Sequence, residues 1–190
     1  MMRMRMMVMT GLLLLGGQAT ALEFKQVSAT ESSVTFAYKQ MGVPLEGKFN
    51  KFKAQISFDP ARLNLAQARI DIELGSIDTG SAEADDEVLG KLWFNAKSHP
   101  VASFVASGIR AVGANRYEAT GRLSIKGKTL DISAPVTFQA SGTRGVFDGS
   151  FTLKRLDYAI GERAWADVST VANDIQIRFH LVVNATSGKK

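Results

Sequence analysis

The segment Ala68-Arg69-Ile70-Asp71-Ile72-Glu73-Leu74 alternates apolar and charged residues without a break. Successive side chains of a β-strand point to opposite faces, so this segment has one oily face and one ionic face. A chain built almost wholly of such strands has to bury its oily faces against one another, which it does by closing into a sandwich or a barrel. A barrel with an apolar interior is in turn a natural container for an apolar ligand.

The same two-residue period runs along most of the chain. Val34, Phe36 and Tyr38 share one face of a first strand. Residues 48–52 read as a second, with a register shift, and 54–58 as a third, ended by the turn pair Asp59-Pro60. Ala68 to Leu74 is the fourth, and Val101 to Ala111 the fifth, with Gly108 marking a bend. Gly113-Ala114-Asn115 and Lys126-Gly127 read as hairpin turns on either side of the sixth strand, whose oily face carries Tyr117, Ala119, Gly121, Leu123 and Ile125. Leu130 to Phe138, Phe147 to Leu153 and Ile175 to Val183 complete the set. The short connections predict an antiparallel meander of about eight or nine strands.

Two segments break the period. Between Ala82 and Ala96 the apolar residues Val88, Leu89, Leu92 and Trp93 have helical spacing, with Ser81 or Asp85 as cap and His99-Pro100 as stop. This predicts one short helix across a barrel end or along its flank. The second is a long loop from Arg155 to Asn173, and long ordered loops on β scaffolds often carry function.

The amino-terminal segment reads as an export leader. Arg3 and Arg5 form a basic head, Met6 to Gly17 is apolar, and Ala19-Thr20-Ala21 has the small-x-small form that signal peptidase cuts after. The apolar run is shorter than the ~20 residues a spanning helix needs. Residues 1–21 are thus expected to be a cleaved signal peptide, 22–190 a single barrel domain, and the location periplasmic. With the leader gone, Arg3 and Arg5 leave too, and the formal charge falls from +5 to +3. That mild excess forms no dense basic run, which argues against nucleic acid as a partner. The chain contains no cysteine, so thiol catalysis, thiolate metal sites and disulfides are all excluded.

Alternation does not say which face is interior, since a membrane-spanning barrel turns its oily set outward. The aromatics are scattered along the strands instead of banding at their ends, and the chain stops in Ser187-Gly188-Lys189-Lys190 and not on an aromatic strand. Both features favour an oily interior.

The sequence offers little catalytic chemistry. His99 and His180 read as solvated, with no metal-ligand spacing around them. Asp85-Asp86-Glu87 fits the first turn of a helix, where the macrodipole attracts carboxylates. No nucleophile elbow or phosphate loop is present. The long loop holds the most suggestive group: Arg155, Asp157, Tyr158, Trp165 and Asp167. These residues could line a pocket mouth, with Arg155 meeting a polar headgroup. Equally, Arg155 could pair with Asp157 or Asp167 while Trp165 plugs the barrel end.

Taken in order, several segments resemble the YceI-like family of exported, lipocalin-like proteins. They are Ser32-Ser33-Val34-Thr35-Phe36, Gly47-Lys48-Phe49, Ile56-Ser57-Phe58-Asp59 and Ser76-Ile77-Asp78-Thr79-Gly80. Trp93-Phe94-Asn95, His99-Pro100, Phe104, Gly121 to Gly127, Arg155 to Gly161 and Trp165 follow. The resemblance implies an antiparallel lipocalin-like barrel around a long apolar pore closed at one end. It implies polyisoprenoids, isoprenoid quinones or fatty amides as ligands, a periplasmic carrier or store, induction by stress in some members and a homodimer in others. This chain departs from the family pattern at Glu31 and Gln40, where histidine is common, and at Tyr158-Ala159, which replaces Phe-Gly. The family supplies no catalytic residue to carry over.

Three readings follow. The first is a non-enzymatic binding protein for a long-chain amphiphilic lipid, with transient contact at a membrane surface. Its tail contacts would be Phe36, Phe49, Phe104, Phe138, Phe151, Phe179, Trp93 and Phe94; its mouth would hold Arg155, Asp157, Tyr158 and Trp165. No metal and no cofactor beyond the bound lipid is expected. The second is an exported enzyme using Asp157 or Asp167. The third is a fully packed barrel with a structural or interaction role, against which the small residues Ala119, Gly121, Ala134 and Gly149 argue for interior space.

Overall fold

The computed structural model describes residues 22–187. The leader expected over residues 1–21 lies outside them. One antiparallel sheet dominates, with eleven strands among the described residues: β1 (Leu22–Val27), β2 (Ser33–Gln40), β3 (Val43–Phe49), β4 (Phe52–Ser57), β5 (Gln67–Glu73), β6 (Ile77–Asp78), β7 (Val101–Gly113), β8 (Arg116–Ile125), β9 (Lys128–Ser141), β10 (Arg144–Lys154) and β11 (Asp174–Ser187). Among the described residues there is one α-helix, α1, spanning Ala82–Leu89. The sheet order is β4-β5-β7-β8-β9-β10-β11-β2-β3-β6, with β1 also on β11.

The sheet curls into an incompletely closed barrel. β1 and β2 share one edge of the long strand β11: β1 pairs with residues 183–187 and β2 with residues 176–180. At the β1 end the barrel is closed by Phe24 and Phe58, whose backbones exchange hydrogen bonds of 2.9 and 3.1 Å. At the other end β3 and β4 diverge at Asn50-Lys51, and Ser76 holds the gap. Its hydroxyl donates to Glu73 O at 2.7 Å and accepts from Lys51 N at 2.9 Å, while its carbonyl accepts from Asn50 N at 2.9 Å.

The strand count exceeds the expected eight or nine because β1 and the two-residue β6 were not predicted. The expected register shift in residues 48–52 is in fact a break, where the chain leaves one sheet edge for the other. β3 also begins earlier than its pattern suggests, since Pro44 looks like a strand breaker. Pro44 pairs with Lys39 on one side, while β6 covers only Lys48 and Phe49 on the other, so the proline sits on an exposed edge. Between β2 and β3, Met41 and Gly42 both take positive φ (50° and 82°), the turn geometry that matches strand twist and that glycine adopts most easily.

The oily faces turn inward. Ionic side chains decorate the outside: Arg69 pairs with Asp71 at 2.8 Å, Arg110 with Glu118 at 2.7 Å and Arg178 with Glu46 at 2.8 Å. This polarity is opposite to what a lipid-facing barrel needs. No helix among the described residues is long and apolar enough to cross a membrane.

Two apolar clusters occupy opposite ends of the interior. Phe24, Phe58, Phe138, Phe147, Leu181 and Val183 form a solid aromatic plug at the β1 end, with ring centroids 4.5–5.0 Å apart for the pairs among Phe24, Phe58, Phe138 and Phe147. Leu74, Trp93, Leu123, Ile125, Leu153 and Ile160 belong to the other cluster, beside α1 and the long loop. Along β11, a rise of about 3.4 Å per residue places Ile175 and Val183 roughly 27 Å apart.

Candidate functional site

The second cluster lines a cavity of about 800 Å³, which stops short of the aromatic plug. Its wall is the inward set of the strands: Val34, Phe36 and Tyr38 of β2, Ile70 and Ile72 of β5, Ala119 and Leu123 of β8, and Ile175, Ile177 and Phe179 of β11 among others. The aromatic plug shuts one end. At the other, the wall passes into exposed polar residues, Gln40 of β2 with Ser81, Glu83 and Glu87 around α1, so the mouth lies there.

The helix forms the rim for local reasons. Ser81 Oγ accepts from Ala84 N at 3.5 Å, and Asp85 reaches back to take the Thr79 N–H and hydroxyl at 2.8 and 2.7 Å. The helix ends at Leu89, shorter than the helical spacing predicts. Gly90 is its cap, and Leu92, Trp93 and Phe94 lie in the turns beyond. Ala84 and Val88, four residues apart, face the cavity, with Glu83 and Glu87 beside them at the rim.

Of the residues proposed as tail contacts, Phe36, Phe49, Phe104, Phe151, Phe179, Trp93 and Phe94 all line the cavity. Phe138 faces inward but belongs to the plug, with only 3% of its surface exposed. Most of the wall is aliphatic, and it includes Ile70 and Ile72 from the clearest alternating segment in the sequence.

The four proposed mouth residues separate. Trp165 and Arg155 reach the wall; Asp157 and Tyr158 do not. Arg155 is 1% exposed, and all five of its N–H groups are directed at main-chain carbonyls. Nε donates to Ala172 O at 3.1 Å, Nη1 to Ile160 O and Gly161 O at 2.8 and 3.2 Å, and Nη2 to Trp165 O and Val171 O at 2.7 Å each. The guanidinium also lies 5.4 Å from the centre of the Trp93 ring, which packs on Trp165 at 5.3 Å. No donor remains for a headgroup, and the alternative ion pair with Asp157 or Asp167 does not form either. Arg155 instead ties the long loop into a single knot.

Gly161 shows how tightly the knot is drawn. Its φ is +81°, and a Cβ there would overlap Arg155 Nη1. The loop is also sewn to its surroundings: Gly161 N and Glu162 N both donate to Leu92 O, and Lys126 Nζ donates to Ala159 O at 2.6 Å and pairs with Glu162 at 2.8 Å.

Tyr158 is 2% exposed and its hydroxyl has no partner among the described residues, as is also true of Trp93 Nε1. Burial, reinforced by the Asp157 charge, pushes the Tyr158 phenol up to about 12. Asp167 is exposed, and its carboxyl is held below the usual range by the Ser169 hydroxyl and N–H. His180 lies on the outer face 2.6 Å from Asp148. Among the described residues, no three His, Cys, Asp or Glu side chains come together as a metal site.

A curled antiparallel barrel around an apolar interior that opens beside one short helix is the lipocalin-like fold. Within that class the chain belongs to the YceI family, whose YceI-like domain it matches over residues 26–183. It is 29% identical over 159 residues to a UPF0312 protein of Azotobacter vinelandii, covering 79% of this chain and 83% of the relative. Among solved structures it is similar to BcnA of Burkholderia cenocepacia, with 44% identity, a TM-score of 0.81, and coverage of 83% of this chain and 99% of that one. A polyisoprenoid binding domain from Saccharophagus degradans, implicated in plant cell wall breakdown, shares the fold. Its TM-score is 0.67 at 19% identity, covering 87% of this chain and 99% of that one.

Proposed function

We propose that this protein is an exported container, a carrier or store, for a long-chain amphiphile of the polyisoprenoid or isoprenoid-quinone type. The tail lies in the barrel and the polar end at the α1 rim. The observation that carries this reading is the cavity of about 800 Å³, walled almost entirely by apolar side chains and closed at its far end by the aromatic plug. That volume falls within the ~300–1,000 Å³ of ligand pockets. Each methylene buried there contributes about 0.8 kcal/mol, so tail length dominates affinity until it saturates near −18 to −21 kcal/mol. The Saccharophagus polyisoprenoid binding domain, which shares the fold, supports the same chemistry, and the basic-apolar segment expected to be a leader supports a periplasmic location, with loading and unloading at a membrane surface.

An open cavity leaves the fully packed barrel without support. The enzyme reading is weakened by the position of Asp157 and Asp167, both exposed and off the cavity wall.

The test is mass spectrometry of an organic extract of the purified protein, followed by titration of the stripped protein with a polyprenyl alcohol. A co-purifying long-chain lipid and saturable rebinding are expected. Ala134→Trp, which places an indole in the cavity opposite Ala119, should fold and fail to rebind. An empty protein that ignores added polyprenyl chains overturns the proposal.

A further inference from the structure

We infer that the cavity mouth selects on charge, accepting a long-chain amphiphile whose polar end is uncharged or cationic and rejecting one that ends in phosphate. The inference rests on the container reading above and concerns the head, not the tail. Among the described residues, only four titratable side chains line the cavity: Tyr38, Glu83, Glu87 and Arg155.

The single cation among them is unavailable. Arg155 directs every N–H at a main-chain carbonyl, so a phosphate could be bound only by unmaking the loop knot. The two glutamates stand exposed at the rim, where any ionic head must pass or rest. Asp85, close enough to help push the Tyr38 phenol up, adds a third carboxylate nearby, and the phenol itself stays neutral.

The positive end of the α1 dipole would favour an anion, but it is already answered from within. Glu83 and Asp85 occupy its first turn, and Asp85 also takes the Thr79 N–H and hydroxyl. No lysine among the described residues lines the cavity. Lys39 and Lys48 belong to the outward set of β2 and β3, and Lys48 pairs with Asp78 at 3.6 Å. Gln40 and Ser81 remain as neutral hydrogen-bonding groups for a hydroxyl, carbonyl or amine.

The experiment compares three probes with one tail on the stripped protein: geranylgeraniol, geranylgeranyl amine and geranylgeranyl monophosphate. Binding is read by tryptophan fluorescence at low and high salt. The alcohol and the amine should bind at least about tenfold more tightly than the phosphate at low salt, with the gap narrowing as salt screens the rim. The double variant Glu83→Lys/Glu87→Lys should shrink or invert the alcohol-to-phosphate ratio. Phosphate binding equal to or tighter than the alcohol, or a ratio the double variant leaves unmoved, overturns the charge filter while leaving the container reading in place. Failure of all three probes overturns both.

Discussion

The ring of Phe104 lies over Gly121 on the neighbouring strand: a Cβ at position 121 would stand 2.6 Å from Phe104 Cε2 and would collide with Val105 O. The same relationship joins Phe36 to Gly47 and Phe179 to Gly149. At each place a strand without a side chain lets a phenylalanine recline against the wall instead of standing in the lumen. The glycines therefore create interior space indirectly, by giving the rings somewhere to lie.

Gly121→Ala should force the Phe104 ring inward and shift the β7–β8 backbone. A loss of about 1–3 kcal/mol is expected from overpacking. Denaturant unfolding measures the loss, and lipid stoichiometry should fall with it.

Arg155→Lys should destabilise as severely as Arg155→Met, despite keeping the charge. An ammonium has three donors where five carbonyls need partners, and buried unsatisfied groups cost about 1–3 kcal/mol each. We expect a loss of at least about 3 kcal/mol for either variant. A Lys variant of wild-type stability would show that charge, and not the fork of donors, holds the loop.

Tyr158 makes stability sensitive to alkali. Its phenol ionises near 10 when unfolded and at about 12 in the fold, so the unfolded state releases the proton first. Its contribution is complete below pH 10 and disappears as pH rises towards 12, on the order of 2 kcal/mol in all. Tyr158→Phe should flatten that slope. Because the buried hydroxyl has no partner, the variant should also gain about 1 kcal/mol at neutral pH. Unfolding curves of both proteins between neutral pH and pH 12 test the two effects together.

Phe58→Ala strikes the centre of the plug. Phe58 is 1% exposed and packs against Tyr117, Phe138 and Phe147. A cost of about 3–5 kcal/mol is expected. If the variant folds, the far end should leak, and the dissociation rate of bound lipid should rise.

Much of the barrel is legible in the sequence because a two-residue period fixes which face a residue takes. The segment 68–74 states this plainly, and Ile70 and Ile72 duly line the cavity. The period does not fix height along the barrel. That is why Phe138 and Phe179, equally inward by pattern, end up in the plug and on the cavity wall respectively. Pro44 hid the start of β3, since its tolerance depends on an edge that only the assembled sheet defines. The knot around Arg155 was illegible for a different reason: its partners are main-chain carbonyls spread from Ile160 to Ala172, and carbonyls leave no mark in an amino-acid sequence.

The aromatic plug turns the barrel into a blind tube. A long-chain occupant of the kind proposed could not be pushed through; it would have to back out along the path by which it entered, head leading and tail trailing. Longer tails would then leave more slowly as well as bind more tightly, and any acceptor, whether bilayer or protein, has to meet the molecule on the α1 side.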